Sequence, residues 1–493
     1  MTELRVPCIS VNKENLQKWW PHIIKTLSES DFVAIDLELS GLGAKDLFAS
    51  QIDERYVALK EVASTRAVLS MGLACFKINP QKGYFKRKPY KNHFEQASYD
   101  QIHDCLDKSL EESDEDSDEK QDILKNTEVE LDEEDEEVVE DIVEDIEDED
   151  FHVEVHVYDF ICLCNEYILE SKSMKFLVQQ GFDFNELARN GIFFSRGNDM
   201  KFEDSSYSIR SLLVQIISIQ PTVIFHNGLL DLAFLYQNFY CEMPTKLDSF
   251  VADLFEMFPK GIFDTKYIAQ SYLANSYLEY LFNHSQRNNY FRKIKKQSSI
   301  NLTFEVFDEP WVQDIKISDL SAKIFEVKFG SFKTCDNYAK YGWCDKLDMC
   351  QYSHNIDLIL DAELKSKKGR SNKELIKHLK ALSTEPCSKK QDSVPMRKCG
   401  SHHSGNDAFM TGYYFLYYLI LNNNKTTFTE FKKYYENLTK FKNKIFLSGK
   451  THPLNIMKSS FSKCSCNHTK KFKKIRENKE KKKNEEKEKN KVQ

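Results

Sequence analysis

Residues 32–43, FVAIDLELSGLG, decide how the rest of the chain is read. Phe32, Val33, Ala34, Ile35, Leu37 and Leu39 describe a strand buried on both faces, yet Asp36 and Glu38 stand two residues apart inside the run. Side chains at i and i+2 of a strand point the same way, so the two carboxylates share one face of a core strand. Either the segment is not a strand, or a buried Arg or Lys neutralises the pair, or a metal ion does. The remainder of the chain decides.

At 493 residues there is room for a large core and two or three domains. The 13 Cys form no even framework, and the opening MTELRVPCIS does not read as a signal peptide. The longest apolar run, YYFLYYLIL at 413–421, falls short of the ~18 residues of a membrane span. A soluble, intracellular and reduced protein is expected, with no membrane partner. The overall charge of −8 conceals a segregation, because residues 111–150 carry 24 acids against two Lys. That tract holds −22, leaving +14 for the remainder. A basic body beside an acidic segment points to a polyanionic substrate; a merely solvating loop is the alternative for the tract itself.

Strand patterns at 68–78 and 154–163 flank the acidic tract, and SIRSLLVQIISIQ, PTVIFHN and GLLDLAFLYQNFY alternate helix, strand and helix. This alternation predicts an α/β sheet. In the last of these helices Asp231 is the only charge among Leu229, Leu230, Leu232, Phe234 and Leu235, and HHSGNDAFMTGYYF puts Asp407 in the first turn of another. Asp231 on an exposed helix face, and Asp407 or Asn406 as a helix cap, are the ordinary readings of each acid alone. Taken together, Asp36, Glu38, Asp231 and Asp407 cannot share a site as bare anions. Two Mg2+ or Mn2+ ions, ~4 Å apart, would resolve the conflict and clamp the oxygens of a phosphodiester.

AIDLELSGL, HNGLLDL and HHSGNDAFMTG, in that order, resemble the three exonuclease motifs of the DEDD superfamily in its His-bearing branch. FLVQQGFDFNELARNGIFF and DLFEMFPKGIFDTKYIA are similar to stretches of the CAF-type and poly(A)-specific ribonuclease family. The resemblance implies a ribonuclease-H-like mixed-sheet α/β exonuclease that shortens RNA from its 3′ end. It assigns Asp36, Glu38, Asp231 and Asp407 as metal ligands and His402 as the general base, a task that suits a neutral imidazole. The family carries Glu-Ala-Gly-aromatic between His and Asp where this chain has HSGN, so His403 competes, although the five-residue spacing favours His402. Asp264, in FDTKY, is read as structural or substrate-orienting.

Between the second and third motifs, Cys335, Cys344, Cys350 and His354 follow a C-x8-C-x5-C-x3-H spacing. Three thiolates and one imidazole make a closed tetrahedral zinc site. Tyr338, Tyr341, Trp343 and Tyr352 interleave with them and are candidates to stack on unpaired bases of single-stranded RNA. Such a finger in this place resembles the nuclear branch of the family. It implies oligo(A) and small nuclear RNA 3′ ends as substrates and residence in nucleoplasm and Cajal bodies, with KSKKGR at 365–370 as a weak nuclear signal. A general mRNA deadenylase and a catalytically inactive RNA-binding adaptor are the competing functions. Cys464, Cys466 and His468 offer too few ligands for a metal assignment. The expected division is an exonuclease at 1–106, 151–330 and 396–450, interrupted by an acidic disordered insert at 107–150, the finger at 331–357 and a basic linker at 358–395, and ending in a Lys-rich disordered tail at 451–493.

Overall fold

The computed structural model describes residues 4–43, 49–79, 151–199, 207–317, 333–346, 349–366, 403–421 and 438–492. The acidic tract at 107–150, most of the basic stretch before 395 and His402 lie outside them. The strands are β1 (Leu4–Val11), β2 (Phe32–Leu39), β3 (Val68–Asn79), β4 (Phe151–Cys164), β5 (Ile192–Phe194), β6 (Thr222–Phe225), β7 (Ile262–Asp264), β8 (Ile300–Phe304), β9 (Val312–Ile317), β10 (Lys444–Ile445) and β11 (Leu454–Asn455). The helices are α1 (Leu16–Glu29), α2 (Ile52–Thr65), α3 (Ser171–Gln179), α4 (Phe184–Asn190), α5 (Ile209–Ile219), α6 (Leu229–Phe234), α7 (Leu247–Met257), α8 (Thr265–Gln270) and α9 (Leu278–Ile294). They continue with α10 (Asp336–Tyr341), α11 (Ile356–Ser366), α12 (Ser404–Leu421) and α13 (Cys466–Val492).

The strands join in one mixed sheet in the order β11-β10-β7-β6-β2-β3-β4-β1-β9, with β5 and β8 also paired to β4. β2, β3 and β4 run antiparallel to one another in that order, whereas β6 joins β2, and β1, β5 and β8 join β4, in parallel. β2 is buried on both sides, as its apolar run requires. Val33, Ile35, Leu37 and Leu39 face α1, α2, α5 and α6, and Phe32 and Ala34 face α9 and α12. Asp36 and Glu38 continue the second face beyond the point where β6 stops pairing, at Ala34.

That face is covered by α12, and glycine sets how closely it comes. Gly72 pairs with Asp36 on one side and Asp159 on the other. A Cβ there would collide with the Ser404 carbonyl, so only a bare strand backbone lets the first turn of α12 lie against the sheet.

Two expectations need correction. Residues 451–493 are not a disordered tail: β11 pairs with β10, and α13 buries Phe472 and Ile475 in the core beside α5 and the π-helical segment Leu235–Tyr240. These two apolar side chains and the buried His468 dock a helix otherwise rich in Lys and Glu. The linker expected from 358 begins inside α11, whose Ile359 and Leu360 pack on Tyr280, Leu281 and Tyr414. Among the described residues no helix is long and apolar enough to cross a membrane.

Gly72→Ala should therefore lift the start of α12, costing ~1–3 kcal/mol of stability as overpacking of a core does. Urea denaturation checks this, and an unchanged midpoint would show that α12 does not depend on the glycine.

Candidate active site

One carboxylate oxygen each from Asp36, Glu38 and Asp407 lies within 4.8 Å of the others. Asp36 and Glu38 come from β2 by the two-residue period of a strand, and Asp407 comes from the first turn of α12, whose opening bond runs from its N–H to the His403 carbonyl at 3.1 Å. Glu38 and Asp407 are each 8% exposed. Three carboxylates so close, two of them buried and Asp36 partly so, repel one another, and their all-oxygen donor set fits a hard divalent cation.

Asp231 is outside that trio but adjoins it. Its carboxylate lies close to the Leu37 peptide, the one between Asp36 and Glu38. Burial, with the Asp264 charge added, pushes its carboxyl up to about 7. His226, in the turn before α6, is pushed down to about 3 by burial and by Lys266, so it is neutral and cannot serve as the counter-ion.

Asp264 is structural. It is fully buried and accepts N–H bonds from Asn227 (2.9 Å), Gly228 (3.2 Å), Lys266 (3.0 Å), Tyr267 (3.4 Å) and Phe446 (3.0 Å). One carboxylate thereby fixes the turn before α6, the start of α8 and the segment after β10, and with them the position of Asp231.

Of the two candidate histidines, His402 lies outside the described residues. His403 has its Nδ1 3.8 Å from Asp159 Oδ2. Asp159 also accepts from the Ser70 hydroxyl and from the Ser404 hydroxyl, the latter at 2.9 Å, and the two hydroxyls are 2.6 Å apart. This group pins the chain entering α12, and the sequence reading missed it. A lone acid in the apolar run VYDFICL was the available signal, of the same kind that singled out Asp36.

The second cluster also forms: one donor atom each of Cys335, Cys344, Cys350 and His354 lies within 4.8 Å of the others, a soft donor set that fits zinc. The segment is closed by the Cys335 N–H to the Ser353 carbonyl (2.9 Å) and by Gly342 in the left-handed region (φ 75°), a turn packed against the Tyr277 ring. It is held to the sheet domain by α11, where Arg287 pairs with Asp361 at 2.5 Å and with Asp357 at 3.4 Å. Tyr338 departs from its expected role. Its ring stacks on His354 (4.5 Å between centroids) and its hydroxyl donates to Glu279 at 2.9 Å, so it belongs to the docked face. Tyr341, Trp343 and Tyr352 are exposed, Trp343 by 61%.

Cys464 and His468 approach Asp253, whereas Cys466 is exposed and outside that group. Both ring nitrogens of His468 are engaged, by the Tyr240 hydroxyl and the Glu256 carboxylate at 3.0 Å each, so the group acts as a hydrogen-bonded anchor for α13.

The sequence matches the model of the CAF1 family ribonuclease over residues 11–208 and 200–415. Among solved structures, S. pombe Pop2p in its Mg2+- and Mn2+-bound form is 17% identical, with 57% of this chain and 82% of that chain covered at a TM-score of 0.34. The RNase domain of the yeast Pop2 protein is 12% identical, covering 56% and 74%, with a TM-score of 0.32. The structure of the yeast NOT1 MIF4G domain co-crystallized with CAF1 gives 13% identity, 56% and 77% coverage and a TM-score of 0.32.

Asp231 supplies a pH test in metal-free protein. Its folded-state pKa of about 7 exceeds the unfolded value near 3.8, so the folded protein binds the extra proton between those limits and loses stability as pH rises through them. Asp231→Asn should be more stable than the parent at pH 8, by at most ~4 kcal/mol, and equal to it near pH 4. Parallel pH profiles of thermal unfolding would contradict the assignment.

Proposed function

Because the chain belongs to the CAF1 family of ribonucleases, we propose that its acidic trio is the hydrolytic centre of a 3′-to-5′ exoribonuclease that trims adenosine-rich 3′ tails of nuclear RNAs. The observation that carries this reading is the convergence of Asp36, Glu38 and Asp407 on one face of the sheet, with Asp231 close to the peptide between the first two. Asp36, Glu38, Asp231 and Asp407 would hold two divalent cations, Mg2+ or Mn2+, which when bound supply Lewis-acid stabilisation of the attacking and leaving oxygens. His402 takes the proton from the attacking water. His403, tied to Asp159, holds the chain where it enters α12. The cover of α12 keeps bulk water from the carboxylates, which strengthens each electrostatic interaction there.

The Cys3His cluster is read as a zinc finger that grips single-stranded RNA by stacking bases on Tyr341, Trp343 and Tyr352. A finger placed between the second and third motifs resembles the plan of the nuclear deadenylase named target of early growth response one. That resemblance and the basic run at 365–370 support a nuclear site of action and small nuclear RNA 3′ ends as substrates. Imaging of the tagged protein and sequencing of bound RNA 3′ ends test both.

Asp36→Ala should abolish Mg2+-dependent shortening of a 3′-tailed RNA while RNA binding persists. His402→Ala should slow turnover ~10²–10⁴-fold and His403→Ala much less. Full activity of the Asp36 variant would refute the centre, and inverted histidine effects would show that the base is His403.

Trp343→Ala tests the finger. Loss of one stacking platform worth ~1–3 kcal/mol should weaken binding of long RNA about 5- to 150-fold and leave cleavage of short oligo(A) intact. Equal loss on both substrates would place Trp343 in the nuclease itself.

A further inference from the structure

A third set of metal-ligand atoms lies on the opposite face of the sheet from the carboxylate trio. His22 of α1, His156 of β4 and Glu305, which follows β8, each bring one donor atom within 4.8 Å of the others. His22 Nε2 is 3.1 Å from Glu305 Oε2, and His156 Nδ1 is 3.8 Å from the same oxygen. A tetrahedral zinc with bonds of ~2.1 Å has ligand-to-ligand edges of ~3.4 Å. The observed separations bracket that value.

The remaining nitrogens make the arrangement more specific. His22 Nδ1 is 2.9 Å from the Tyr158 hydroxyl, which is itself 2.7 Å from Thr26 Oγ1. His156 Nε2 is 3.0 Å from Glu154 Oε1. Each imidazole thus has one nitrogen engaged by an outer partner, and the other turned toward Glu305. Metal-binding histidines are typically held in this way, because the outer partner fixes the tautomer and leaves the inner lone pair for the ion. His468 differs, since its two nitrogens bond to separate partners that share no common point. A cavity of about 30 Å³ opens beside the three groups, bordered by Lys25, Thr26, Glu29 and Lys77. It exceeds the ~10–15 Å³ that one water molecule needs, so a fourth ligand has room.

We infer that His22, His156 and Glu305 form a binding site for a divalent transition-metal ion, with zinc the ion best matched to two imidazoles and one carboxylate. The ion ties α1 to β4 and to the segment leaving β8, three pieces far apart in sequence, and leaves one coordination position to the cavity. This site is separate from the nuclease centre and does not rest on the functional reading of it.

The test compares full-length parent protein with Glu305→Gln and His22→Gln. After dialysis against a zinc buffer, the parent should hold one more zinc equivalent than either variant by atomic emission, and added zinc should raise the melting temperature of the parent more than that of either variant. Zinc taken up by the Cys3His cluster or the acidic trio is common to all three proteins and cancels. Glu305, half-exposed in its side chain, can be changed without touching the core, so its variant decides if His22→Gln fails to fold. Equal zinc content and an equal thermal response in the parent and Glu305→Gln overturn the site.

Discussion

The contact between the first turn of α12 and the bare backbone at Gly72 is the constraint on which the remaining architecture of the site depends. Asp36 and Glu38 are placed by β2 alone, but a trio exists only when Asp407 arrives from a helix more than three hundred residues later. That arrival needs a strand with no side chain at the crossing point, and a clamp for the helix entry. Gly72 provides the first and Asp159, with Ser70 and Ser404, the second. The repulsion stored among the carboxylates then acts against a well-packed contact instead of a loose one, which is why the charges can be held together.

Asp264 plays the complementary part for the second motif. Desolvation alone would expel such a carboxyl from the core, and burial does hold its pKa above the usual carboxylate range. Five peptide N–H groups compensate by converging on it from separate segments. The turn carrying Asn227 and Gly228 is consequently fixed by a side chain and not by a regular ladder. Asp231 is thereby held beside the Leu37 peptide.

Much of this was legible in the sequence. The doubly buried strand β2, the strands on either side of the acidic tract and the long apolar α12 announce themselves by hydrophobic pattern. The acids of the trio stand out because charges are rare in such runs. The Cys3His spacing led directly to a converged cluster. What pattern could not show is register. Asp159 faces the same way as Asp36 only because both pair with Gly72, a fact about the sheet and not about either segment. Tyr338 looked equivalent to Tyr341 and Trp343 until docking turned it inward. The terminal helix was hidden by its composition, since Phe472 and Ile475 are too few to form a visible stripe. His22, His156 and Glu305 share no motif at all, and only tertiary structure brings them together.

The docked Cys3His segment has a mechanical consequence. Its α11 is seated by a buried Arg287 pair and by Glu363, which accepts hydrogen bonds from Asn275 and Tyr280, so it does not swing on a tether. The exposed rings are therefore carried on a segment seated against the sheet domain that holds the acidic trio. Under the proposed function, an RNA strand engaged by both the rings and the acidic trio would span a set interval, and each nucleotide removed would be replaced by sliding of the strand across the rings. Once the tail became shorter than the interval, one contact would be vacated and the strand would be held at a single point. In that proposal the spacing between the two contacts would act as a ruler, and a static interface would set a stopping rule for the length of the product.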